Sequence, residues 1–161
     1  MYLNKTNLFL VISICLIFFF LTYFDVKSQE LNIVDGDTIH LNSEKIRFTG
    51  IDTPELKQTC IKGNELIQCG IKAKELLIKR IGNSNINCIK QGKDRYNRIL
   101  AECFVNNESL SVYMVKNGYA FDYVKYSKKK YQEYENFAKK NKLGLWKTKF
   151  EYPWVWRKKN R

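Results

Sequence analysis

The residue pattern predicts an α+β domain of short antiparallel strands with helices interleaved. From Leu31 to Ile51, apolar residues alternate at period two (Leu31, Ile33, Ile39, Leu41, Ile46, Phe48), as half-buried strands do. Ala73, Leu76, Leu77 and Arg80 then recur at three- and four-residue spacing, a helical period. A second alternating stretch, 85–105, is interrupted by the polar run Gly92-Lys93-Asp94-Arg95-Tyr96-Asn97, which reads as a hairpin tip. Five or so short strands expose sheet edges unless they curl round, so a small closed barrel is the expected architecture.

Taken in order, the chain begins with a targeting segment. Lys5 precedes a 17-residue apolar run, 8–24, and Val26-Lys27-Ser28 suits a signal peptidase, with Ser28 the last residue removed. The run also reaches the lower edge of the roughly 17–25 residues that span a bilayer, so an uncleaved membrane anchor stays open. Cys15 follows Ile14 rather than a small residue, which argues against lipidation. Either way residues 29–161 form the expected domain, exported as a secreted or periplasmic protein or held at the membrane through residues 8–24.

Within that domain, turns are expected at Asp35-Gly36 and Asn42-Ser43. Thr53-Pro54-Glu55 reads as a turn or a capped helix start, with a polar loop to Gly70 and a helix over 71–81 stopped by Gly82. Strands around Ile86/Cys88 and Ile99–Val105 flank the second hairpin. Helices are expected over about 108–116 and 127–142, the latter coated with lysine. The tail from Trp146 holds all three tryptophans, expected to pack on the body, and ends in Arg157-Lys158-Lys159-Asn160-Arg161.

Four cysteines remain after the leader: Cys60, Cys69, Cys88 and Cys103. An even number suits an oxidising compartment, and the spacings match no zinc pattern. Three pairings are possible. The favoured one joins Cys60 to Cys69, clipping a loop, and Cys88 to Cys103, linking two strands.

Past residue 28 there are 26 Lys plus Arg against 15 Asp plus Glu, a difference of +11. Such an excess attracts polyanions without saying which: nucleic acid, anionic lipid or acidic glycan. The sole histidine, His40, lies mid-strand, which excludes catalysis by paired histidines and a zinc site built from them. There is no nucleotide-binding glycine loop and no Ser-His-Asp set. Chemistry must come from carboxylates, arginines, tyrosines and a borrowed metal.

The candidate residues lie in two stretches. The first, 34–55, carries Asp35, Asp37, Arg47, Asp52, Thr53 and Glu55; the second carries Asp94, Arg95, Tyr96 and Arg98. Each piece alone has an ordinary reading as a hairpin turn, a solvated strand residue or a helix cap. Together they are complementary. Two carboxylates on neighbouring strands can bind a hard cation, and a third can orient water. Two arginines from separate hairpins can grip phosphate oxygens with bidentate geometry.

V-D-G-D-T, R-F-T-G-I-D-T-P-E and D-R-Y-N-R-I-L-A, in this order and spacing, resemble the staphylococcal nuclease (thermonuclease) family, as do N-G-Y-A and L-G-L-W further on. The resemblance runs from Leu31 to Trp146, and the cysteines and the P-W-V-W-R tail look like an exported bacterial branch with two disulfides. It implies an OB-type five-stranded barrel with three helices, and a Ca²⁺-dependent phosphodiesterase acting on DNA and RNA by in-line water attack that leaves 3′-phosphate ends; a monomer is the default expectation. It implies Asp37, Asp52 and the Thr53 carbonyl as metal ligands, Asp35 behind them, and Arg47, Arg98 and Glu55 as catalytic. Arg95, Tyr96, Tyr123 and Tyr126 would touch the neighbouring nucleotide. The family usually has glycine where Asn97 stands; asparagine tolerates the same positive φ. The competing expectations are a catalytically inactive OB-fold module that binds nucleic acid, and a basic protein of the cell envelope or membrane surface.

Overall fold

Alternation along the chain becomes a curved sheet in the computed structural model, which describes residues 29–160. The expected leader or anchor lies outside the described residues. Strands β1 (Leu31–Ile33), β2 (Thr38–Leu41) and β3 (Glu44–Phe48) form an antiparallel meander. Its tight β2–β3 turn puts Asn42 and Ser43 at φ of 49° and 67°, the left-handed pair that a two-residue hairpin requires. Strands β4 (Ile51–Asp52), β5 (Thr59–Lys62) and β6 (Glu65–Gln68) lead into helix α1 (Cys69–Ile81). The second hairpin is β7 (Asn87–Lys93) and β8 (Ile99–Val105), followed by β9 (Glu108–Ser109).

The main sheet runs β1-β2-β3-β8-β7, with β9 on β8. The β3–β8 pairing is parallel, Arg47 opposite Leu100. Ile39, Ile46, Phe48, Ala101, Cys103 and Val105 point into the core and meet Ala73, Leu77 and Ile81 from α1. Leu110, Met114 and Val115 of helix α2 (Leu110–Lys116) complete it.

The fold is the expected OB-type α+β arrangement, with differences of detail. The sheet is not a closed ladder: β5–β6 and β4 with β10 (Phe121–Asp122) are separate ribbons. The described residues contain five α-helices, not three. The helix expected over 127–142 is split into α3 (Val124–Ser127) and α4 (Gln132–Lys140), because Lys128 and Lys129 adopt positive φ between them. The tail turns through a 3₁₀ segment (Gly144–Lys147) and then forms α5 (Pro153–Lys159), opened by a proline in its first turn. The supposed polar loop 56–70 is the β5–β6 hairpin, and no helix starts at Pro54.

Both favoured disulfides are present, Cys60–Cys69 clipping β5–β6 to α1 and Cys88–Cys103 joining β7 to β8. A second apolar cluster gathers on the first bridge. Phe121 and Leu145 lie at its centre, with Trp146, Phe150, Tyr152 and Trp154 around them. Trp146 and Trp154 therefore pack as expected. No helix among the described residues is long and apolar enough to cross a membrane.

Candidate active site

Strand register decides which side chains meet. Arg47 faces Leu100 across the parallel β3–β8 pair, and Arg98 stands two residues before Leu100. Side chains alternate faces along a strand, so both arginines emerge on the same side of the sheet. There they line one cleft of about 1110 Å³, together with Asp35, Glu55, Arg95, Tyr96, Tyr123 and Tyr126. Its wall carries eight lysines and arginines against three carboxylates, so the cleft as a whole attracts anions.

Asp37, Asp52 and Thr53 do not line the cleft wall but lie directly behind Arg47. The Asp37 carboxylate accepts from Thr38 Oγ1 (3.0 Å), from the Thr53 amide and hydroxyl (3.0 Å each) and from Arg47 Nη1. Arg47 Nη2 donates to Asp52 Oδ1 at 2.8 Å and to the Ile51 carbonyl at 3.3 Å. Two nearly inaccessible carboxylates, Asp37 and Asp52, thus converge on one guanidinium. This leaves Arg47 its Nε–H and one Nη1–H to offer the cleft.

Burial works against the charged forms of these carboxylates. Burial, and the neighbouring Asp37 carboxylate, raise Asp35 to about 7, although part of the residue reaches solvent. Burial also raises Asp52, despite hydrogen bonds from Arg157 and the charge of Arg47. Desolvated carboxylates, whose charged form burial disfavours, are groups that a divalent ion would stabilise. Two carboxylates that already share one cation, beside the backbone of Thr53, supply the hard oxygens such an ion prefers. Among the described residues no set of three or more acidic, histidine or cysteine side chains is gathered as ligands, so the fit rests on those two carboxylates.

Arg98 sits in a different setting. Its Nε donates to Asp94 Oδ2 at 2.7 Å and its Nη2 lies 2.6 Å from the same oxygen, while Asp94 Oδ1 accepts the amides of Tyr96 (2.9 Å) and Arg98 (3.0 Å). Desolvation opposes it, but these hydrogen bonds together hold the Asp94 carboxyl below its ordinary value. Asn97 takes a φ of 61° at the tip, so asparagine does replace the expected glycine there. The Arg95 and Arg98 guanidiniums lie 4.8 and 5.6 Å from the centre of the exposed Tyr96 ring. On the facing wall Tyr123 and Tyr126 meet edge to face at 4.9 Å.

Glu55 is set by contacts that the motifs do not reveal. A Cβ on Gly70 would come 1.9 Å from the Glu55 carbonyl oxygen, so only glycine lets α1 approach this closely. The buried Gln58 accepts from the Glu55 amide (3.2 Å) and donates to the Glu151 carbonyl (2.7 Å). Arg157, from α5, then donates to Glu55 Oε1 (2.8 Å) and to both oxygens of Asp52 (3.1 and 2.7 Å). Arg157 and Gln58 are absent from the sequence-based site. The available signals were slight: a proline that opens a helix, and one arginine three residues after Trp154.

A family model described as staphylococcal nuclease homologue matches residues 45–148. The chain belongs to the staphylococcal nuclease family. It is 32% identical over 119 residues to a staphylococcal-like nuclease, CAN1, of Arabidopsis thaliana, covering 73% of this chain and 34% of the relative. An uncharacterized endonuclease of Haemophilus influenzae is 32% identical over 149 residues, 85% of this chain and 77% of that protein. Endonuclease YhcR of Bacillus subtilis is 33% identical over 131 residues, 71% of this chain but 11% of its own length. The chain spans about a third of the plant relatives' length. What it shares with them is the staphylococcal nuclease domain; its own two disulfides suit an oxidising compartment.

Proposed function

We propose that the protein is an exported nuclease that hydrolyses phosphodiester bonds of DNA and RNA with little sequence preference. The observation that carries this is the single cleft that Arg47, Arg98 and Glu55 line, backed by the Asp37–Asp52 pair. Asp37, Asp52 and the Thr53 carbonyl are the ligands for a Ca²⁺ ion, which when bound supplies Lewis-acid polarisation of the phosphate. Asp35 stands behind them and holds the Asp37 amide through its Oδ1 at 3.0 Å.

Each remaining residue has a stated task. Glu55 orients the attacking water and takes its proton. The water oxygen bonds to phosphorus opposite the 5′ oxygen, the P–O5′ bond breaks, and the leaving oxygen is protonated from solvent, giving 3′-phosphate and 5′-hydroxyl ends. Arg47 and Arg98 donate to the oxygens on which negative charge develops, each such donor being worth roughly 10²–10³ in rate. Tyr96 and Arg95 reach the neighbouring phosphate, and Tyr123 and Tyr126 offer faces for bases, which stack without reading sequence. The working unit is taken as a monomer.

Purified protein incubated with plasmid DNA, and separately with RNA, tests the reading. Cleavage of both that requires Ca²⁺ and stops with a chelator is expected. A stable complex with intact nucleic acid would indicate a binding module instead.

A further inference from the structure

The cation nearest Glu55 comes from outside the matched family segment. Arg157 lies nine residues beyond position 148, on a helix of the C-terminal tail, yet its guanidinium joins two residues of the proposed site. We infer that Arg157 is a positioning residue for hydrolysis: it fixes the Glu55 carboxylate against Asp52 through Oε1 and leaves Oε2 to hold the attacking water. This rests on the nuclease reading above.

Three observations separate this from a simple clasp for the tail. First, Arg157 does not pair with Glu151, the carboxylate nearest to it in sequence; Glu151 pairs with Lys159, and Arg157 reaches back to two site residues. Second, its fork spans Asp52 and Glu55 together, which a planar guanidinium does and a point charge does not. A glutamate at a cleft mouth otherwise samples several rotamers, and an ion pair on one oxygen selects among them. Third, the structure holds both partners in register. Gln58 binds the Glu55 amide with its oxygen and the tail at Glu151 with its nitrogen. Helix α5 is anchored by the buried Pro153 and by Trp154, stacked on Tyr152 at 4.6 Å and on Tyr123 at 5.5 Å. Helix, glutamine and loop therefore present one arginine to the Asp52 and Glu55 carboxylates together.

The test is steady-state cleavage of single-stranded DNA at saturating Ca²⁺ by the wild type, Arg157→Gln and Arg157→Lys. Melting temperature and calorimetric Ca²⁺ titration accompany each. For Arg157→Gln we expect kcat to fall about 10–100-fold, as for other residues that orient a reacting group through a hydrogen bond. KM should move by less than about threefold, since ground-state binding is untouched. Arg157→Lys should recover part of that kcat. Unchanged kcat with a lowered melting temperature would make Arg157 a tail clasp and overturn the inference. Tighter Ca²⁺ binding with faster turnover would make it a competitor for the metal and also overturn it. Should Arg157→Gln fail to fold, Arg157→Lys decides, and wild-type kcat in that variant overturns the inference. A wild type without turnover would remove the nuclease reading and this role together; wild-type turnover alongside an unaffected Arg157→Gln removes only this role.

Discussion

Arg47 on β3 and Arg98 just before β8 face the same cleft, yet their surroundings differ in kind. Arg47 is locked between Asp37 and Asp52, two carboxylates almost without solvent contact, brought together from different strands. Arg98 is held by Asp94, four residues away on the same hairpin tip, and both are partly exposed. The partner carboxyls move in opposite directions: burial raises Asp52 in spite of two arginines, whereas hydrogen bonds lower Asp94. Arg47 therefore serves the fold as well as the site, while Arg98 is a side chain on a local tether that a phosphate can share.

That contrast sets the order of expected effects. Arg98→Ala should lower turnover by about 10²–10³, the value of one preorganised donor. It should change stability by less than about 1 kcal/mol, because its ion pair is local and partly solvated. Gel-based turnover and thermal melting check both halves, and a large drop in melting temperature would erase the contrast. Arg47→Ala should lose similar activity and also about 3–5 kcal/mol of stability, the usual cost of stranding a buried charge. The loss should fall near the lower end because Arg157 still faces Asp52. Chemical denaturation measures it, and wild-type stability would show that Arg47 carries no structural load.

Smaller effects sharpen the picture. The Cys60–Cys69 bridge closes a nine-residue separation beside Glu55, so replacing both cysteines with serine should cost about 2–3 kcal/mol. Unchanged melting would mean that the β5–β6 ribbon is already ordered by the tail, which bonds it through Ile61 and Lys149. The smallest effect is a pH dependence. Folding lowers Asp94 below 3.8, so its stabilisation is fully present above about that pH and is lost as pH falls through the lower folded value. Solvent screening keeps this below about 1 kcal/mol. Asp94→Asn should flatten the acid limb of the stability curve; an unaltered limb would show that the pair contributes nothing measurable.

Legibility from sequence followed contact distance. The β1–β2–β3 meander and helix α1 could be read because each declares its period over consecutive residues. The paired carboxylates and both cleft arginines could be read because contiguous motifs contain them. The β5–β6 hairpin hid behind reversed exposure: Ile61 is 43% and Leu66 71% accessible, so no inward apolar face announces it. Lys128 and Lys129 broke a helix that composition favoured, a backbone choice that lysine does not advertise. Arg157 was beyond reach for a plainer reason. Its partners lie 105 and 102 residues away, and a seven-residue helix gives no periodic signal of which carboxylates it will meet.

The central claim is that guanidinium groups beside the β3–β8 pair and the Glu55 carboxylate, from the segment after β4, act on a single phosphodiester. A double-mutant cycle with Glu55→Gln and Arg98→Ala, measured as turnover on single-stranded DNA with saturating Ca²⁺, tests it most directly. Groups that act as a unit give strongly non-additive losses, so the double variant should be little slower than the slower single variant. Losses that multiply in full would mean that the two residues act on separate events, and would contradict the account.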